Sequence, residues 1–187
     1  MIHFYFFLVG SIVASFLGLV VDRFPEQSII TPASHCNVCR QKLAPRDLIP
    51  VLSQLINRLR CRFCNSKIPI RYILLELTGG CLFLATSLGY LNINRLVLLA
   101  MGMTLSLYDQ REQEYPLLIW LIFHIFLLFL TSFNLLMVAF LALGILTHFV
   151  DLRIGAGDFL FLASCSTIFH LTEVLLIIQI ASIIGLL

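Results

Sequence analysis

The chain has 187 residues, of which 60% are apolar and only 12% charged, and its formal net charge is +2. This composition, with a mean hydropathy of +1.01, excludes an ordinary soluble globular protein and indicates an integral membrane protein. Its apolar runs are interrupted rather than alternating, which favours transmembrane helices over a β-barrel. We therefore predict an all-α, polytopic membrane helix bundle.

The first predicted element is a membrane span at residues 3–21, followed by one long polar segment at 22–71. The span matches the ~20 residues that a bilayer core requires. It lacks the basic leader and small-residue cleavage site of a signal peptide, so we expect a retained anchor. Nine of the twelve Lys and Arg residues lie in the polar segment. By the positive-inside rule, that segment is cytoplasmic and the N-terminus is outside.

Two C-x-x-C pairs lie in the polar segment. Their members are Cys36, Cys39, Cys61 and Cys64. Four thiolates in two such pairs suit tetrahedral Zn²⁺, so we predict a structural zinc site that staples this loop. A weak internal repeat supports two similar knuckles, because a lysine follows each pair at the same spacing, at Lys42 and Lys67.

The same two cysteine pairs permit a redox interpretation. C-x-x-C is also a dithiol motif, and it would make the chain a membrane thiol–disulfide oxidoreductase. Such enzymes work on the oxidising side of the membrane, whereas the charge distribution places this loop in the reducing cytosol. We therefore favour zinc over redox chemistry.

Six further apolar runs follow, which gives about seven spans in all. They cover residues 72–91, 96–108, 116–130, 135–150, 159–170 and 174–187. Counting spans from a cytoplasmic loop places the residues after 108 and after 150 on the cytoplasmic side as well. We predict three regions: a first transmembrane helix at 1–21, a Cys-rich zinc-binding loop at 22–71, and a membrane-embedded core at 72–187.

Two carboxylates in the core are candidates for one site. Asp109 directly follows an apolar run, and Asp158 lies between two apolar runs behind Gly155 and Gly157. A charge held beside hydrocarbon is costly and is usually functional or paired. The two glycines permit positive φ and a close approach of the backbone to a ligand. Because the run at 96–108 has only thirteen residues, we expect Asp109 below the membrane surface.

Two carboxylates at close range support a specific reaction. They cannot both ionise easily, so they share a proton. The ionised group takes a proton from water while the protonated group donates to the scissile carbonyl, which hydrolyses a peptide without a covalent intermediate. Two alternatives stay open: acids that only cap helices at the interface, and a paired cation site in a transporter. Glu76, inside the second span, has Arg71 as a possible partner.

Several ordered motifs resemble one family, the type IV prepilin leader peptidases. They are Ser34-His35-Cys36-x-x-Cys39, Arg60-Cys61-Arg62-x-Cys64, Pro69-Ile70-Arg71-Tyr72 with Glu76, Asp109 with Pro116 seven residues on, and Gly155-Ala156-Gly157-Asp158. The resemblance implies that the core is an aspartic membrane endopeptidase with Asp109 and Asp158 as its catalytic pair. It implies cleavage of a short basic leader from prepilin or competence pseudopilin substrates at the cytoplasmic face of the bacterial plasma membrane.

The same resemblance implies a second activity and a set of partners. Many relatives N-methylate the new terminus with S-adenosylmethionine, an activity associated with the Cys-rich loop, although residues 22–71 show no glycine-rich loop for that cofactor. The expected partners are prepilin-like substrates and the lipid bilayer, with no nucleic acid. We expect a bifunctional enzyme if methyl transfer is retained.

Overall fold

The computed structural model describes residues 1–112, 115–147, 149 and 155–185, and this part of the chain is helical. Its helices are α1 (Ile2–Arg23), α2 (Leu52–Ile56), α3 (Ile70–Ser87), α4 (Ile93–Glu112), α5 (Leu117–Leu130), α6 (Leu135–Leu146), α7 (Ala156–Ser166) and α8 (Leu171–Gly185). A 3₁₀ turn covers Pro45–Leu48. The all-α prediction is confirmed. The chain forms two compact units, an N-terminal unit (Met1–Asn92) and a C-terminal unit (Ile93–Leu187).

Seven longer helices fall on the seven predicted runs, with α2 as an additional short helix in the polar segment. Among the described residues, α1 and α3 are both long and apolar enough to cross a membrane, and 28% of the apolar window of each is buried. A core helix of a soluble protein would be mostly buried, so these surfaces suit lipid. This is an integral membrane protein. The number of spans stays a prediction, and the predicted span ends at 150 and 187 lie outside the described residues.

In the N-terminal unit, α1 and α3 pack through small residues. Gly10, Ala14 and Gly18 recur every fourth position on α1 and are buried or half-buried. Gly10 and Ala14 meet Gly79 of α3, where a Cβ would lie 2.8 Å from the carbonyl oxygen of Gly10, and Gly18 faces the side chain of Leu75. Helices in lipid associate through such small residues, because only they let two backbones approach closely.

In the C-terminal unit, α4, α5 and α7 enclose an apolar core. It contains Val97, Leu98, Met101 and Leu105 of α4, Trp120 and Leu127 of α5, and Cys165 of α7. Polar bonds add to this packing, because the indole N–H of Trp120 donates to the carbonyl of Leu160 (3.0 Å) and the hydroxyl of Ser164 (3.1 Å). The Nδ1 atom of His124 lies 2.8 Å from the same hydroxyl. These contacts tie α5 to α7.

The structure corrects the expected length of α4. The helix has 20 residues and runs through Asp109 to Glu112, or about 30 Å at 1.5 Å per residue. The predicted apolar run ended at Tyr108 because Asp109 is charged. Gln110, Arg111 and Glu112 are nevertheless good helix formers and continue the helix. The expected short helix is therefore wrong, while the depth of Asp109 relative to the membrane surface stays a prediction.

Candidate functional site

Two matching knuckles carry the four cysteines of the polar segment. In each knuckle, the residue after the second cysteine donates its amide to the carbonyl of the first: Arg40 to Cys36 at 2.9 Å, and Asn65 to Cys61 at 2.8 Å. Arg40 and Asn65 have positive φ angles of 59° and 57°, and one isolated β-bridge closes each knuckle, His35 with Lys42 and Arg60 with Lys67. The predicted internal repeat is confirmed in three dimensions.

The four sulfur atoms form one cluster. All lie within 4.8 Å of one another, and the Sγ atoms of Cys36 and Cys64 are 3.8 Å apart. A tetrahedron with metal–sulfur bonds of about 2.3 Å has edges of about 3.8 Å, so the cluster fits a metal ion. All six cysteines of the chain are free thiols. Because the cluster joins sulfurs of different knuckles, its geometry favours a metal site over two separate dithiols.

The surroundings of two of the four cysteines favour the thiolate form. The backbone N–H groups of Cys39 and Val38 lower the pKa of Cys36 to about 6. The hydroxyl of Ser66, followed by its backbone, lowers the pKa of Cys64. A thiolate is the form that binds a metal. The lowered pKa values favour ligation by Cys36 and Cys64. At Cys39 the lowering by the backbone of Gln41 is outweighed by desolvation and by the other three cysteines, which raise its pKa to about 11.

Glu76 connects the polar segment to α3. Its side chain is 5% exposed, and its Oε2 atom accepts hydrogen bonds from the backbone N–H of Val51 and the side-chain amide of Gln54, both at 2.7 Å. Val51 precedes α2 with a positive φ of 62°. A buried carboxylate thus fixes the start of α2 against the membrane helix.

The suggested pairing of Glu76 with Arg71 is wrong. Arg71 instead donates to Oδ1 of Asp22 at 2.7 Å, and the hydroxyl of Tyr72 donates to Oδ2 of Asp22 at 2.6 Å. The reason is helical geometry, because positions five apart on a regular helix do not share a face. This polar triad joins the end of α1 to the start of α3.

Asp158 lies in the first turn of α7, and its side chain is exposed. Gly155 is the N-cap with a φ of −64°, and the amide of Asp158 donates to its carbonyl at 3.1 Å. Neither Gly155 nor Gly157 has a positive φ, so the expected conformational role of these glycines is wrong. Gly157 instead leaves room for the ring of Tyr115, because a Cβ there would lie 2.8 Å from the Cε2 atom.

Asp109 lies in the last turn of α4 and is also exposed. Tyr115 follows α4 and precedes α5. Burial, followed by the charge of Asp158, raises the pKa of Tyr115. Tyr115 therefore lies beside the first turn of α7, which carries Asp158. The pairing of Asp158 with Asp109 stays a prediction.

The comparison with known families identifies the N-terminal unit. The model of the bacterial peptidase A24 N-terminal domain matches residues 8–90, which contain α1, both knuckles and α3. Residues 8–90 are therefore similar to the N-terminal domain of this peptidase family. This confirms the resemblance that the motifs indicated.

Curated relatives extend the comparison. The chain is 46% identical over 82 residues to the prepilin leader peptidase/N-methyltransferase of Myxococcus xanthus (43% of this chain, 24% of the relative). It is 39% identical over 85 residues to the protein of the same name from Bacillus subtilis (45% and 34%). It is 36% identical over 125 residues to that of Klebsiella pneumoniae (60% and 54%). No solved structure matches significantly.

The matches cover only part of each relative. The chain spans about a quarter to about half the length of these relatives. The Klebsiella match covers 60% of the chain, more than either unit contains, so it extends into both units. Similarity to the family therefore reaches beyond the domain with the cysteines.

Three features of this chain were missed by sequence reasoning. The small-residue face of α1 was readable, because Gly10, Ala14 and Gly18 recur every fourth position in an apolar run. The bond from Gln54 to Glu76 joins residues 22 positions apart, and no local pattern indicates it. The same holds for the contact of Tyr115 with Gly157, which depends on how the helices pack.

Proposed function

We propose that the chain is a membrane aspartic endopeptidase that removes the short basic leader of prepilin-like proteins at the cytoplasmic face of the plasma membrane. The contact of Tyr115 with Gly157 carries this proposal, because it places a residue six positions after Asp109 against the turn that holds Asp158. The names of the curated relatives support the same activity. The cytoplasmic side follows from the nine basic residues between 22 and 71.

The positions of the two acids on their helices suggest different roles. Asp158 lies at the N-terminus of α7, where the helix dipole stabilises a negative charge. Asp109 lies at the C-terminus of α4, where the dipole does not favour an anion. In the proposed dyad, one carboxyl group takes a proton from water while the other donates one to the scissile carbonyl, and the position of Asp158 at a helix N-terminus suits the first role. Gly157 keeps the first turn of α7 close to Tyr115.

In this proposal the cysteine cluster is structural. Cys36, Cys39, Cys61 and Cys64 would bind Zn²⁺ and hold the two knuckles together. Four cysteine ligands leave no open position for a catalytic water. The metal therefore stabilises the loop and takes no part in hydrolysis.

Methyl transfer is a second candidate activity because the names of the relatives include an N-methyltransferase. S-adenosylmethionine would supply the methyl group. Residues 22–71 contain no glycine, so they offer no glycine-rich loop for that cofactor, and we derive no methyl-transfer step. The cleavage assay described next can detect methyl transfer as a separate change in mass.

One experiment tests both activities. The purified chain in lipid vesicles is incubated with a purified pseudopilin, with and without S-adenosylmethionine, and the substrate is analysed by mass spectrometry. We expect the substrate to lose its leader, and the added mass of one methylene group would report methylation. An intact substrate whose cysteines become oxidised would instead support the thiol–disulfide alternative, and cation flux without cleavage would support the transporter.

A further inference from the structure

An apolar surface lies in the middle of the otherwise polar segment. We call residues 48–56 the interfacial segment. Five of its side chains are between 45% and 77% exposed: Leu48, Ile49, Leu52, Leu55 and Ile56. A contiguous apolar surface of this kind usually marks an interaction site, because leaving it in water is unfavourable.

The interfacial segment is held at one end of a membrane helix. The backbone N–H of Val51 and the amide of Gln54 both bind Glu76, which lies in the second turn of α3. With 18 residues, α3 is about 27 Å long, close to the thickness of the hydrocarbon core. Side chains on a helix point toward its N-terminus, so the Glu76 carboxylate reaches back toward Ile70. In a bilayer spanned by α3, the segment would therefore lie level with the boundary of the hydrocarbon core.

Basic residues flank the interfacial segment on both sides. Arg46 precedes it, Arg58 and Arg60 follow it, and all three are exposed. Apolar side chains between cations are the pattern of segments that lie in the membrane interface. The guanidinium groups would bind the phosphates of anionic lipids, which attract basic residues next to a membrane. The flanking basic residues and the position of the segment at the end of α3 thus indicate the same partner, an anionic lipid surface.

We propose that the interfacial segment inserts Leu52, Leu55 and Ile56 into the headgroup region of the leaflet at the N-terminal end of α3. Arg46 and Arg58 bind anionic lipid headgroups there. The bonds to Glu76 hold the segment at this depth. This anchor does not depend on the proposed peptidase activity, because neither Asp109 nor Asp158 belongs to it.

Photo-cross-linking in vesicles tests this anchor. The photoreactive residue benzoylphenylalanine replaces Leu55 in the full chain, and in a matched control it replaces Val38, which is 69% exposed on the first knuckle. The vesicles contain phosphatidylethanolamine with or without phosphatidylglycerol. After irradiation, mass spectrometry identifies what is attached to each position. The Asp158→Asn variant serves as a second background, and we expect the same cross-links there.

We expect phospholipid adducts at position 55 well above those at position 38. In the Arg58→Gln variant, the share of adducts on phosphatidylglycerol should fall by up to about fivefold, the equivalent of about 1 kcal/mol for one basic residue at an anionic membrane. Equal lipid yields at 55 and 38 would overturn the proposal. It would also be overturned by adducts at 55 that join mainly other parts of the chain, or an added pseudopilin, instead of lipid.

Discussion

The aromatic ring of Tyr115 lies directly against Gly157, in the first turn of the helix that carries Asp158. A Cβ at position 157 would lie 2.8 Å from the Cε2 and Cγ atoms of this ring, which is too close for an unstrained contact. Tyr115 also packs against the core that includes Trp120 and Cys165, so its ring has little room to shift. Glycine at 157 is therefore required by packing rather than by backbone conformation.

Replacing Gly157 with alanine should destabilise the C-terminal unit by about 1–3 kcal/mol, the usual effect of overpacking a filled site. Thermal unfolding in detergent measures this change, and cleavage of a pseudopilin should fall in parallel because the turn that carries Asp158 is displaced. Gly155→Ala is the matched control. Among the described residues, a Cβ at Gly155 would meet Asp158 Oδ2 alone, at 3.6 Å, an ordinary contact. Equal effects of the two substitutions would show that Tyr115 does not determine the requirement for glycine.

Glu76→Ala should release the start of α2 from α3. The substitution leaves the N–H of Val51 and the buried amide of Gln54 without their acceptor, and each unsatisfied buried group costs about 1–3 kcal/mol. Limited proteolysis of residues 45–59 should become faster, whereas Glu76→Gln keeps one acceptor oxygen and should have a smaller effect. Thr78→Ala, on an exposed position of the same helix, is the control and should leave proteolysis unchanged.

The purified chain should contain about one zinc ion for each set of four cysteines, since structural zinc sites are four-coordinate. Elemental analysis should show that Cys36→Ser lowers this content strongly, because a hydroxyl replaces one thiolate. Cys81→Ser is the matched control, since Cys81 is an exposed cysteine of α3 outside the cluster. A strong chelator should increase proteolysis of the knuckles. Full zinc content in the Cys36→Ser variant would show that the metal lies elsewhere.

Gly79→Ala should weaken the packing of α1 on α3, since the new Cβ would meet Ala14 and the carbonyl of Gly10. Thermal unfolding in detergent should report a loss of about 1–3 kcal/mol. Gly102→Ala is the comparison, because a Cβ there would lie 3.4 Å from Phe161 and alanine favours a helix by up to about 1 kcal/mol. Gly79→Ala should lower the free energy of unfolding and Gly102→Ala should raise it. A change in the same direction in both variants would contradict this packing.

Much of the architecture could be predicted from the sequence because its signals are local. Each apolar run that ends at a polar stretch, such as 135–150 after the turn at Asn134, indicates one helix, and the structure starts α6 at Leu135 with Asn134 as its cap. The two C-x-x-C pairs with their following lysines predicted two similar knuckles, and the hydrogen bonds of Cys36 and Cys61 repeat in that way.

Features that depend on distant contacts could not be predicted in the same way. Arg71 is close to Glu76 in sequence, yet it binds Asp22, 49 positions away, because α1 and α3 lie side by side. The glycine before Asp158 indicated a special backbone conformation, whereas the structure uses it to accommodate the ring of Tyr115. The residue type limits the conformations and contacts available at a position, but packing determines which neighbour it contacts.

Cleavage of a purified pseudopilin by the Asp109→Asn and Asp158→Asn variants is the most direct test of the proposed dyad. Glu173→Gln is the matched control, because Glu173 is an exposed acid in the first turn of α8 and accepts the amide of His170. Mass spectrometry of the substrate should show that each aspartate variant is at least about a hundredfold slower, as expected for loss of a general acid or base. The control should cleave normally, and all three proteins should keep their zinc and membrane insertion. Normal cleavage by either aspartate variant would contradict a shared proton between Asp109 and Asp158.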